Sequence, residues 1–76
     1  MIWITKFNLK QPIPPDFFDL LEEVALKDDT FVIERDQKEV RILSESKKQA
    51  YRRGKWLKER LNASSLYFQV FRRISK

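Results

Sequence analysis

The chain has 76 residues, 42% of them hydrophobic and 13% aromatic, with a net charge of +5. That length holds one small domain, residues 1–76, with one thin core, and the composition suits a folded domain rather than a disordered tail. It contains no Cys and no His, which excludes disulfide scaffolds, zinc sites, cysteine nucleophiles and triad-type hydrolysis.

Residues 2–9, Ile-Trp-Ile-Thr-Lys-Phe-Asn-Leu, are rich in β-branched and aromatic side chains and predict a strand. Gln11-Pro12-Ile13-Pro14-Pro15 ends it, because proline lacks the N–H that a ladder needs. Pro15 suits a first helical position, and Asp16 behind it favours the positive end of a helix dipole. Phe17, Leu20, Leu21, Val24 and Ala25 then recur at three- and four-residue spacing, which predicts a helix over 15–27. Phe18 widens its apolar stripe, while Asp19, Glu22 and Glu23 lie away from it.

Thr30–Arg35 and Glu39–Leu43 are two short β-rich runs. Asp36-Gln37-Lys38 between them is of hairpin length, although no glycine marks a tight turn. Ser44 or Ser46 can cap a second helix over 46–62, followed by the turn Asn62-Ala63-Ser64-Ser65. Residues 66–74 predict a last strand.

The order β-α-β-β-α-β predicts an α+β, ferredoxin-like domain: a four-stranded antiparallel sheet with two helices on one face and the first and third strands central. A winged-helix or other α+β domain is the second choice.

The apolar start, Met1–Thr5, is interrupted by Lys6, has no basic segment before it and no small-residue cleavage site after it, so a signal peptide is not expected. No run approaches the roughly 20 apolar residues that span a bilayer, and a cytoplasmic location is the expectation. Asn62-Ala63-Ser64 matches a glycosylation pattern, which has meaning only in a secreted chain.

Charge is unevenly distributed. Residues 1–46 carry six basic groups against ten acidic ones, whereas residues 47–76 carry ten basic groups and one acid, Glu59. Such asymmetry points to an anionic partner for the basic half. The plainer reading is a solvated helix that balances acidic neighbours.

Side chains alternate between the faces of a strand. Placing the aliphatic sets Ile2/Ile4, Val40/Ile42 and Phe68/Val70 under the helices leaves Trp3, Phe7, Tyr67 and Phe71 together on the open face, beside Arg41 and Arg73. Four aromatics there exceed what a monomer ordinarily exposes. The first strand, Ile2-Trp3-Ile4-Thr5, resembles the shorter of the two motifs of RNA-recognition modules, which stack bases on aromatics of their central strands. Their longer motif is absent: Lys38-Glu39-Val40-Arg41-Ile42-Leu43 has no glycine and no aromatic. The resemblance is one of surface plan. The opposing reading is that these aromatics fill the core or seal a homodimer.

On the second helix, Ala50, Gly54, Leu57 and Leu61 form a narrow core stripe, at about 100° per residue. Gly54 costs about 1 kcal/mol of helix propensity against Ala, which close approach of helix and sheet would offset. Lys47, Lys48, Arg52, Arg53, Lys55, Lys58 and Arg60 occupy most of the rest. Trp56 falls about 130° from the stripe and is expected to be exposed between Arg52 and Arg60, where a base could stack on it. Otherwise it packs under a loop.

Catalysis has little support. One glycine excludes a Gly-rich phosphate loop. Asp16, Asp19, Glu22, Glu23, Asp28 and Asp29 read as a solvating acidic face, with Asp19 and Glu22 or Glu23 the weak candidates for a shared divalent cation. The serines lack a base and fit capping roles. The second helix has too narrow an apolar stripe for a membrane anchor.

The expectation is therefore a non-enzymatic domain without cofactor or metal that binds nucleic acid. RNA or a single strand is favoured, and duplex DNA is kept open. Lys47, Lys48, Arg52, Arg53, Lys55 and Arg60 would meet phosphates, while Trp56 and the open-face aromatics would stack on bases. The competing expectation is a protein-interaction module, either a homodimer through the open face or a small inhibitor of a larger complex.

Overall fold

A computed structural model of the protein describes residues 1–74. It is an α+β structure of β1 (Trp3–Asn8), α1 (Phe17–Lys27), β2 (Val32–Arg35), β3 (Glu39–Ser44), α2 (Lys47–Arg60) and β4 (Gln69–Arg72). The strands form one antiparallel sheet in the order β2-β3-β1-β4. None of the helices is long and apolar enough to cross a membrane among the described residues.

Local chemistry explains the boundaries of the β2–β3 turn and of α2. The β2–β3 turn closes without glycine because Asp36 Oδ1 accepts from the N–H groups of Lys38 and Glu39, at 2.7 and 2.9 Å. That side chain imitates a backbone turn. Ser46 caps α2 by accepting from Gln49 N–H, and Gln49 Oε1 accepts from Glu45 N–H in return. At the other end, Ala63 N–H donates to Lys58 O and Asn62 N–H to Glu59 O. Asn62 takes φ 53° there, a left-handed cap that asparagine tolerates.

The last strand is shorter than the sequence predicts. Gln11 accepts from Tyr67 N–H through Oε1 and donates to Tyr67 O through Nε2. Both backbone groups of Tyr67 are thus taken by a side chain rather than a ladder, and pairing with β1 extends only from Trp3↔Arg72 to Lys6↔Gln69.

The register corrects the expected faces of the first strand. Thr5 pairs with Ile42 and Phe7 with Val40, so this set lies under the helices and not on the open face. Thr5 Oγ1 donates to Ala50 O of α2 at 2.8 Å, which satisfies a hydroxyl that is fully buried. Phe7 is likewise fully buried and meets Phe17 of α1 edge-on at 5.2 Å. The core gathers around it, with Leu20, Leu21, Phe31, Val40, Ile42, Leu57 and Leu66. Ile4 lies on the opposite face, buried in a row Val32–Leu43–Ile4–Phe71 that runs in register across all four strands.

Candidate nucleic-acid interface

The expected aromatic platform is not assembled. Phe7 is in the core and Trp3 shares its face, half-buried with the Lys47 ammonium 5.8 Å from its ring. Tyr67 is exposed ahead of β4, and only Phe71 stands on the open face, with Lys6 over its ring at 5.8 Å. The arginines expected beside them are occupied. Arg41 reaches Glu34 at 3.3 Å, Asp36 at 3.1 Å and Glu39 at 2.9 Å, and Arg73 is paired with Glu34. These partners raise the pKa of both guanidinium groups. Arg73, then Arg41, holds the Glu34 carboxyl below its usual value. Hydrogen bonds from Lys38 N–H and Arg41 do the same for Asp36. The open face is therefore electrically self-neutralised.

Arg53 is also committed within the fold. Its side chain is 11% exposed. It donates to Leu43 O at 2.9 Å, Ser44 Oγ at 3.1 Å and Thr30 Oγ1 at 2.8 Å. Asp28 lies 3.6 Å away, and the guanidinium stands 5.2 Å over the Phe31 ring. The position read as a phosphate contact is a clamp from α2 to the β2 and β3 ends. Ser44, a candidate cap in the sequence, is one of its acceptors.

A groove of about 760 Å³ runs along the outer flank of α2, between that helix and the segment entering β4. Lys48, Arg52 and Lys55, all expected site residues, line it together with Lys58. None of these four is ion-paired among the described residues. Tyr51 and Phe68 supply its aromatic surface. Their ring centroids are 6.2 Å apart at 66°, and Tyr51 is 51% exposed. Glu59, Asn62, Ala63 and Ser64 close the end where α2 stops.

Gly54 makes this groove possible. A Cβ at that position would stand 2.5 Å from the Phe68 ring, so the glycine admits the ring against the helix backbone. Trp56 is exposed at 44%, as its helical angle predicts. It does not line the groove; neither do Lys47 and Arg60. Tyr51 escaped the reading of the sequence, and Phe68 was read only as a residue under the helices, where it does pack. The available signal was the lone Gly54, three residues after Tyr51, which called for a bulky partner at the helix surface.

Among the described residues no acidic cluster is arranged to hold a metal ion. Comparison with family models, curated proteins and solved structures gives no match.

Proposed function

We propose that this chain is a small, non-enzymatic, ferredoxin-like domain that binds single-stranded nucleic acid in the α2–β4 groove. The element order, the antiparallel pairing and the central position of β1 and β3 support the ferredoxin-like description. The observation that carries the function is the Tyr51–Phe68 pair, Tyr51 exposed and Phe68 half-buried against the core, lining one groove with Lys48, Arg52, Lys55 and Lys58. Cations there neutralise phosphates and release counterions, while a flat ring accepts any base on its face. Stacking needs bases freed from a duplex, which favours RNA or single-stranded DNA over duplex DNA. A cytoplasmic location goes with this reading.

Anisotropy titration of labelled single-stranded RNA, single-stranded DNA and duplex DNA over a range of salt tests it. Four phosphate contacts correspond to a log–log salt slope of about −3 on a single strand. Tyr51→Ala is expected to weaken binding about tenfold, and Lys10→Ala to leave it unchanged. Binding that is equal for all three ligands and indifferent to Tyr51→Ala would refute the proposal.

A protein contact through the open face is the second reading, favoured by the apolar row that ends in Val32, 47% exposed, and Phe71, 39% exposed. It requires that Phe71→Glu abolish a dimer or partner complex detected by sedimentation while leaving nucleic-acid affinity intact.

A further inference from the structure

One residue of the groove does not fit a generic phosphate site. Glu59 is the sole acid in residues 47–76, yet it lines the basic groove. It is exposed and has no ion-pair partner among the described residues. It also occupies the last turn of α2, where the helix dipole disfavours negative charge. A carboxylate in that place weakens both the helix end and the attraction for phosphate. Donors supplied by the ligand would offset both effects.

The bases differ sharply in what they offer a carboxylate. The Watson–Crick edge of guanine carries the N1–H beside the N2 amino group, two parallel donors matched to two carboxylate oxygens. Adenine and cytosine place an acceptor nitrogen beside their single amino group, and uracil flanks its N3–H with two carbonyls. Each of those sets one bond against a repulsion.

The aromatic geometry leaves the edge of a base free. Rings 6.2 Å apart and inclined at 66° cannot sandwich a base, which needs two parallel faces about twice the usual 3.5 Å contact apart. A base would therefore rest on one ring only, and Glu59, Asn62 and Ser64 line the same groove. We infer that the groove selects guanine in a single strand, with Glu59 accepting from N1–H and N2–H. This inference rests on the nucleic-acid reading above.

The test uses the full chain and labelled oligouridylate carrying one central G, A, C or U. The wild type is expected to bind the G-containing strand about tenfold more tightly than the other three, as one bidentate contact provides. Glu59→Ala should erase that preference and tighten binding to the all-uridine strand, because a repulsion is removed. Glu59→Gln, which keeps the shape, should also lose most of the preference. Since Glu59 is exposed, circular dichroism should show both variants folded. Equal affinity of the wild type for all four strands overturns guanine selection and leaves the nucleic-acid reading standing. A guanine preference that survives Glu59→Ala overturns the assignment to Glu59. Failure to bind any strand overturns both readings.

Discussion

Replacing Gly54 with alanine sets two known effects against each other. Alanine is the better helix former by about 1 kcal/mol, and an exposed helical glycine would gain that much. Here the new methyl would stand 2.5, 2.6 and 2.7 Å from Cε2, Cζ and Cδ2 of Phe68, where carbon atoms rest at about 3.5–4.0 Å. The ring would have to retreat by about 1 Å. It is not free to do so without loss, because it also packs on Phe7 at 5.6 Å and Tyr51 at 6.2 Å. Overpacking of this kind costs about 1–3 kcal/mol. The net expectation for Gly54→Ala is destabilisation by about 1 kcal/mol, since the clash exceeds the gain in propensity. Removing the ring reverses the sign: in a Phe68→Ala background the same substitution should stabilise by about 1 kcal/mol. Urea denaturation followed by circular dichroism on the two single variants and the double variant gives the coupling directly. If Gly54→Ala stabilises the wild type and the Phe68→Ala variant equally, the ring contact does not explain the glycine.

Two other predictions concern charges read alike in the sequence and used differently in the fold. Arg53→Ala should cost about 2–3 kcal/mol of stability, because several hydrogen bonds to a charged group are lost together. Arg52→Ala should leave the urea midpoint nearly unchanged and weaken nucleic-acid binding, and equal midpoints for the two variants would contradict the clamp. Acid should destabilise the fold through Glu34, Asp36 and Asp28, whose carboxyls are all held below their ordinary values. That stability is present above the unfolded values of 4.5 for Glu and 3.8 for Asp and is lost as pH falls below them. Thermal melts from pH 7 to pH 3 should show a shallower acid decline in Glu34→Gln, and parallel curves would refute its part.

The elements were legible because each carries its own local signal. Three- and four-residue spacing of Phe17, Leu20, Leu21 and Val24 marked α1, and Ser44 or Ser46 marked the start of α2, Ser46 being the residue that caps it. The faces of β1 were not legible. Thr5 reads as an outward residue until a helix carbonyl, 45 positions away in sequence, accepts its hydroxyl. Ile4 reads as an inward residue until Leu43 and Phe71 flank it on the open side. A strand with apolar side chains in both sets leaves its orientation to the register, which is a property of the whole sheet. Tyr67 failed for a related reason, since the side chain that ends its strand is Gln11, 56 residues earlier. Lys48, Arg52 and Lys55 could be named as one surface because helical geometry alone relates them. Phe68 could not, because it joins them only through the fold.

The same distinction explains where the charge asymmetry ends up. Among the described residues, five of the ten acids of the first half are answered from within: Glu23 by Lys27, Asp28 by Arg53, Glu34 by Arg73 and Arg41, and Asp36 and Glu39 by Arg41. These pairs draw Arg53 and Arg73 out of the basic half and close the open face to an anion. The cations left without a partner among the described residues include Lys48, Arg52, Lys55 and Lys58, gathered on one flank of one helix. Anion binding through the sheet would require breaking a network of five charged side chains, whereas binding at the groove disturbs none of them. The fold thus concentrates unpaired cations of a chain of net charge +5 on one flank, beside the aromatic pair that Gly54 allows to form.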